Sequence, residues 1–167
     1  ALGECDILLL SGGISAGDYD LVKDTLEGMG AKLNFWKVNQ KPGKPLAFFE
    51  YGNKYIFALP GNPVSVMVCF EMYGRPMIRK SMGARNLFRP EVMAEALHDF
   101  KNKTGRINFI RAIVENKDGR YFFKSTGMQG SGILTSMARA NGIAWFPADI
   151  GNVAKGSKAK VYLLGEI

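Results

Sequence analysis

A chain of 167 residues, 47% hydrophobic and 22% charged, has room for one large domain or two small ones and falls in the ordinary globular range. Its net charge of +7 is uneven: residues 84–167 carry thirteen Lys and Arg against seven Asp and Glu, and residues 1–83 carry nine against eight. No Lys/Arg block, helix-turn-helix signature or aromatic-interleaved RNA motif accompanies the basic half, and no apolar run approaches the roughly 18 residues of a membrane helix, so neither nucleic acid nor a membrane is an expected partner.

The chain opens on Ala1 and by Asp6–Leu10 (DILLL) has entered the apolar run of a strand covered on both faces in a parallel sheet. That is how a fragment begins, and no basic region followed by an apolar one marks a signal peptide. Ser11-Gly12-Gly13 ends the strand. From Asp20, an N-cap type residue, Leu21, Val22, Thr25, Leu26 and Met29 recur at helical spacing, and Gly30 stands where a left-handed residue is wanted. Lys32–Val38 reads as a further strand, followed by the turn-rich Lys41-Pro42-Gly43-Lys44-Pro45. Leu46–Tyr51 and Tyr55–Leu59 flank Gly52-Asn53 as a hairpin. Pro60-Gly61-Asn62-Pro63 then opens a strongly apolar helix, with Asn62 as its N-cap and Pro63 at its first position; Pro76 should kink or restart it.

A polar link near Gly83–Pro90 is the best domain boundary. Beyond it, Val92–Phe100 and Ile107–Glu115 are strand-like, Asp118-Gly119 signals a type I′ hairpin into Tyr121–Ser125, and Ile143–Phe146 is a short apolar strand. Lys158–Leu164 alternates, with Ala159, Val161 and Leu163 on one face. One brief helix is expected at about Ile133–Ala140. The expected architecture is an α/β domain over 1–83, a parallel or mixed sheet with flanking helices, followed by a small all-β barrel or sandwich over 84–167. Cys5 and Cys69 lie far apart in apolar surroundings, with no CxxC and no cluster with His98. That excludes a structural zinc site and fits inert core thiols in a reducing cytosol; His98 itself reads as structural or surface.

Three loops have the residue types of an anion site. Ser11-Gly-Gly-Ile-Ser-Ala-Gly-Asp-Tyr-Asp20 joins a buried strand to a helix, where glycines let backbone amides approach a ligand. Any tight strand-to-helix turn wants the same glycines. Lys41-Pro-Gly-Lys-Pro45 displays two lysines on a turn stiffened by proline, which suits an oxyanion or a solvated surface turn alike. Leu59-Pro-Gly-Asn-Pro-Val-Ser65 sets a rigid loop and a hydroxyl at a helix start, which a well-capped helix also explains.

In this order and spacing, SGGISAGDYD, FWKVNQKPGKP and LPGNPVS resemble the pterin-binding domain of the molybdopterin molybdotransferase (MoeA-type) family. Arg106-Ile-Asn-Phe-Ile-Arg111 followed by Thr126-Gly-Met-Gln-Gly-Ser131 is similar to the C-terminal β-barrel domain of that family. Gly132 departs from it, since many relatives have His after that serine. The resemblance implies insertion of molybdate into adenylylated molybdopterin with release of AMP, assisted by Mg²⁺, in a cytoplasmic homodimer. It implies catalytic roles for Asp20, Lys37 and Lys41, with Asp20 also the metal ligand, although Asp20 suits a plain N-cap equally. The expected contacts to the anionic substrate come from Ser11, Gly12, Gly13, Ser15, Gly17, Lys44, Pro60, Gly61, Asn62, Pro63 and Ser65. Molybdate is expected at Lys41, Pro42, Ser65, Arg111 and Ser131, and Asp18 reads as a loop carboxylate. Because the family has further N-terminal domains, a chain of this extent is expected to be inactive alone. A gephyrin-like scaffold or a molybdopterin-binding module is the alternative within the same superfamily.

Overall fold

The computed structural model describes residues 2–14 and 21–165. The chain divides into two compact units, Ala1–Val38 with Gly43–Phe88, and Asn39–Pro42 with Arg89–Ile167.

The first unit is built on a four-stranded sheet of β1 (Ile7–Ser11), β2 (Lys32–Trp36), β4 (Ala47–Tyr51) and β5 (Lys54–Leu59), in the order β1-β5-β4-β2. β1 runs parallel to β5, and the other two pairings are antiparallel. The sheet is mixed because Gly52, at φ 60, turns β4 straight back as β5, with Tyr51 opposite Lys54. Both faces are covered. Helix α1 (Val22–Gly28) brings Leu26 to Ala47, Phe49, Ile56 and Ala58. On the opposite face, α2 (Pro63–Cys69) and α3 (Arg75–Ser81) bring Cys69, Val66 and Met77 to Leu46, Phe57 and Leu59. Leu8 and Leu10 pack on the first cluster and Leu9 on the second, so β1 has the two-sided cover expected of it. Its residues nevertheless stay half-exposed, because among the described residues it has a strand neighbour on one side only.

Local signals account for most element ends. Gly30, at φ 90, closes α1: its N–H bonds the Glu27 carbonyl, and Ala31 N–H reaches back to Leu26, the two bonds of a Schellman motif. The start of α1 differs from expectation. Leu21 occupies the cap position without a side-chain bond, and Asp20 lies outside the described residues. Leu21 and Met29, expected on the apolar face, are exposed, because a helix of two turns turns only one narrow row, Val22 and Leu26, toward the sheet. β2 stops at Trp36 rather than Val38, since Lys37 takes φ 68 and breaks the extended run. Asn62 starts α2 with extended backbone and Pro63 follows in the first turn, but the cap is the backbone bond from Val66 N–H to the Asn62 carbonyl. Pro76 restarts the helix: a π-helical turn, Phe70–Gly74, leads into α3 and places the proline in its first turn, where a missing N–H is tolerated.

The second unit is a closed five-stranded barrel of β6 (Glu91–Ala96), β7 (Ile107–Lys117), β8 (Arg120–Ser125), β9 (Gly142–Phe146) and β10 (Lys158–Leu163). The long β7 makes closure possible. It pairs with β9 over Asn108–Ala112 and with β8 over Ala112–Lys117, and β8-β6-β10-β9 completes the circuit. Asp118 (φ 50) and Gly119 (φ 80) make the expected hairpin turn. Ala112, Val114, Phe123, Phe146 and Val161 fill the interior, and Ala159, Val161 and Leu163 are the buried residues of the alternating β10. β6 ends at Ala96 rather than Phe100, which returns as an isolated bridge to Val153. Two further elements complete the unit: α4 (Leu134–Ala138), and β3 (Gln40–Lys41), which lies parallel to the start of β7. Lys41, read in sequence as a turn residue, is thus a strand residue. Among the described residues no helix is long and apolar enough to cross a membrane.

Candidate functional site

Each unit gathers some of the residues singled out in sequence. In the first, parallel pairing of β1 and β5 sets their following loops side by side at the carboxyl ends of the strands, where open α/β sheets bind ligands. Gly12 N–H bonds the Leu59 carbonyl at 3.1 Å, and the Ser11 hydroxyl lies 3.5 Å from the Pro60 carbonyl. A Cβ on Gly61 would stand 3.5 Å from Gly12 Cα, so the two loops approach backbone to backbone. Gly12 and Gly13 both take positive φ, 92° and 68°. Their constraints differ: a Cβ on Gly13 would meet Val22 Cγ2 at 2.7 Å, whereas one on Gly12 meets nothing nearer than Gly61 Cα at 4.0 Å. Gly13 thus serves the seating of α1, and Gly12 shapes the surface between the loops.

Lys37 is tied through Trp36 to the first of these loops. Its ammonium lies 3.8 Å from the centroid of the Trp36 ring, and the Trp36 indole N–H bonds the Ile14 carbonyl at 3.1 Å. A cation on an aromatic face keeps its charge while losing some freedom. Pro60 is buried, Gly61 and Pro63 are exposed, and Asn62 is half-buried. Ser65 is only 4% exposed within α2, and Lys44 is exposed. Ser15, Gly17, Asp18 and Asp20 lie outside the described residues.

The second unit holds a cavity of about 920 Å³, within the size range of small-molecule sites. Its wall carries Lys41, Lys101, Lys103, Arg106 and Arg111, with Asp99 as the one carboxylate. The Asp99 carboxylate already accepts the Lys155 N–H at 2.7 Å. None of the five cations makes an ion pair among the described residues, although cations elsewhere on the barrel do: Lys124 and Lys117 with Glu115, Arg120 with Glu95, Lys160 with Glu91. Lys41 arrives through β3, which sets it opposite Asn108.

Arg111 is the unusual member. Ile110, Ala112 and Val114 belong to the barrel core, so strand alternation turns Arg111 outward, yet it is only 1% exposed. The segment that follows β8 covers it. Its Nε donates to the Ser136 hydroxyl at 3.2 Å and its Nη2 to the Gly130 carbonyl at 3.1 Å. Both partners are neutral. Burial pushes the guanidinium below its ordinary pKa, but arginine remains charged at neutral pH. A desolvated cation without a counter-charge is costly in a folded protein and becomes favourable once an anion reaches it. The structure therefore brings Lys41, Pro42 and Arg111 to one wall. Ser131 is half-buried on the covering segment, outside the cavity wall.

Sequence reasoning missed three contributors here. Ser136 holds the guanidinium, Gln129 holds the Arg111 backbone, and His98 lines the cavity while accepting the Ser125 N–H on Nε2. Gln129 lies inside a motif already noted, Thr126–Ser131, and its amide was the available signal. Nothing local marks Ser136 or His98, whose partners are 25 and 27 residues away.

Comparison with known proteins fits both halves. Residues 1–80 match the family described as "Probable molybdopterin binding domain", and residues 93–164 match "MoeA C-terminal region (domain IV)". The chain is 35% identical to the molybdopterin molybdenumtransferase of Haemophilus influenzae, covering 99% of this chain and 42% of that protein. It is 36% identical to gephyrin of Dictyostelium discoideum, over 97% of this chain and 26% of that protein. In fold it is similar to the crystal structure of the molybdopterin biosynthesis moeA protein from Pyrococcus horikoshii, with a TM-score of 0.78 at 23% identity, covering 100% of this chain and 39% of that one. The chain thus spans less than half the length of these relatives.

Proposed function

The chain belongs to the molybdopterin molybdotransferase (MoeA-type) family, and from that premise we propose that it supplies the pterin-binding and oxyanion-binding parts of a molybdenum-insertion enzyme in molybdenum cofactor biosynthesis. The observation that carries this reading is Arg111, a buried guanidinium with neutral partners on a cavity wall it shares with Lys41. Molybdate is a dianion, so its entry supplies an ion-pair partner that the five cations of the wall do not have among the described residues. The paired loops at Gly12 and Gly61 present backbone where a pterin and its phosphate would lie. In this reading adenylylated molybdopterin and molybdate are substrates, and AMP leaves.

A homodimer and a cytoplasmic setting belong to the proposal through the family alone. So does magnesium. No three His, Cys, Asp or Glu side chains group together among the described residues, and Asp20 lies outside them, so no step is assigned to the metal.

The test is a graft in which residues 1–167 replace the matching segment of the Haemophilus relative, assayed for molybdenum insertion beside equilibrium binding of molybdate and molybdopterin to the chain itself. Insertion by the folded graft, with both ligands bound by the chain, is the expected result. A folded graft without insertion, and a chain that binds neither ligand, would overturn the reading in favour of a scaffold.

A further inference from the structure

Side-chain amides do unusual work on β7. Gln129 Oε1 accepts the Arg111 backbone N–H at 2.9 Å, and its Nε2 donates to the Arg111 carbonyl at 3.1 Å. The amide thus stands in for a neighbouring strand at the residue whose guanidinium is buried. The same Nε2 lies within bonding distance of the Ser125 hydroxyl (2.9 Å), the Thr126 hydroxyl (3.3 Å) and the Gly127 carbonyl (3.2 Å). Ser125 is held in turn, its N–H donating to His98 Nε2 and its hydroxyl to the Gly127 carbonyl. Gly130, one residue beyond Gln129, carries the carbonyl that takes Arg111 Nη2. Backbone, side chain and covering segment therefore meet at one amide.

We infer that Gln129 is a positioning residue for anion capture: by pinning the Arg111 backbone and the Gly130 carbonyl together, it fixes the guanidinium in the cavity wall before the oxyanion arrives. This rests on the reading of the cavity as an anion site. The ligand class is a small tetrahedral dianion; Gln129 lines the same cavity, but both ends of its amide are engaged by the Arg111 backbone, so its effect is assigned to Arg111. Preorganised donors bind a charge more tightly because little has to be ordered on binding.

The barrel contains its own control. Asn141 makes the same pair of bonds three residues further along β7, accepting the Val114 N–H at 2.7 Å and donating to the Val114 carbonyl at 2.9 Å. Val114 is a buried core residue, not a cavity cation. Gln129→Leu and Asn141→Leu thus remove equivalent backbone bonds, and only the first touches the anion-binding residue.

The experiment is calorimetric titration of the 167-residue chain with molybdate alone, each variant accompanied by a thermal melt. Gln129→Leu should weaken molybdate binding by on the order of tenfold or more, as loss of the outer partners of ligating groups does. Asn141→Leu should lower the melting temperature yet bind molybdate within about twofold of the parent chain. Equal losses in both variants would mean that affinity merely follows stability, and the inference falls; so it does if Gln129→Leu binds like the parent. If Gln129→Leu does not fold, Gln129→Glu decides. It keeps the acceptor for the Arg111 N–H but sets a carboxylate oxygen against the Arg111 carbonyl in place of the amide donor, so unchanged affinity there overturns the inference too. A parent chain that binds no molybdate removes the anion site itself, an outcome distinct from all of these.

Discussion

Arg111 and Lys41 differ in a way that sets their expected contributions. Arg111 is buried with neutral partners, whereas Lys41 is exposed on β3 and screened by water. Charge-assisted contacts to a desolvated anion are worth about 1.5–3 kcal/mol, and those at the surface well under that. Molybdate affinity should therefore fall most in Arg111→Met, less in Lys41→Ala, and not measurably in Lys158→Ala, which alters an exposed residue of β10. Titration of the three variants with molybdate checks this, and equal affinities would remove the cavity assignment. A second residue, Cys69, is set by burial alone, which pushes its thiol up to about 12. Above the ordinary thiol pKa the unfolded chain releases this proton and the folded chain keeps it, so stability falls as pH rises from about 9 toward 12. One proton gives a slope of at most roughly 1.4 kcal/mol per pH unit. Denaturant melts at pH 8.5 and 10 should show a smaller loss in Cys69→Ala than in the parent, and the folded Cys69 thiol should resist alkylation at pH 8.5. Parallel losses in both proteins would contradict this. Tyr73, raised chiefly by its own burial, contributes in the same direction at higher pH.

Elements whose cause is local were legible in the sequence. Gly30 ends α1, Gly52-Asn53 turns β4 into β5, Asp118-Gly119 turns β7 into β8, and Pro63 starts α2, each through a backbone preference of that residue. What was not legible depends on distant partners. The pairing of β3 with β7 joins residues more than sixty positions apart, and nothing around Lys41 announces it. Barrel closure through β9 is of the same kind: the strand pattern fits barrel and sandwich alike, and the expectation of a barrel rests on the family resemblance of Arg106–Arg111 and Thr126–Ser131. Burial of Arg111 also follows from the segment that folds over it rather than from any feature of β7. Closure has its own steric signature at Gly142, where β9 passes between β7 and β10. A Cβ there would meet Val114 Cγ2 at 2.5 Å and Val161 Cγ1 at 3.0 Å. Gly142→Ala should thus destabilise the barrel by about 1–3 kcal/mol through overpacking. Val114→Ala alone leaves a small void, but combined with Gly142→Ala it removes the closer of the two contacts, so the double mutant should be more stable than the sum of the single effects predicts. Additive losses in urea denaturation would show that the barrel relaxes around the new methyl without contact to Val114.

At the scale of the whole molecule, the two units differ in how their strands are held. In the barrel, β10 is bonded on both edges, to β6 over Lys158–Tyr162 and to β9 over Lys160–Leu163, and β7 passes from one partner to the next along its length. Inside it Phe100 stacks on Phe123, and both meet Phe146 edge to face. In the first unit, β1 is bonded to β5 alone among the described residues, and its leucines remain half-exposed although apolar clusters lie on both faces. A parallel edge strand offers only alternate amides to its partner, so its remaining groups stay available to solvent. Local opening is easiest where burial is incomplete and bonds are one-sided. Amide hydrogen exchange of the 167-residue chain should therefore show stronger protection in Ile107–Val114 and in Val161–Leu164 than in Asp6–Leu10. The contrast should be largest between Val161, with a strand on either side, and the amides of Leu8 and Leu10. Adding molybdate should raise protection around Arg111 without changing that of β1, because the cavity and its covering segment belong to the barrel unit. Equal protection of β1 and β10 in the ligand-free chain would show that one-sided pairing does not govern opening here, and that the clusters on either face of β1 hold it as firmly as a second strand.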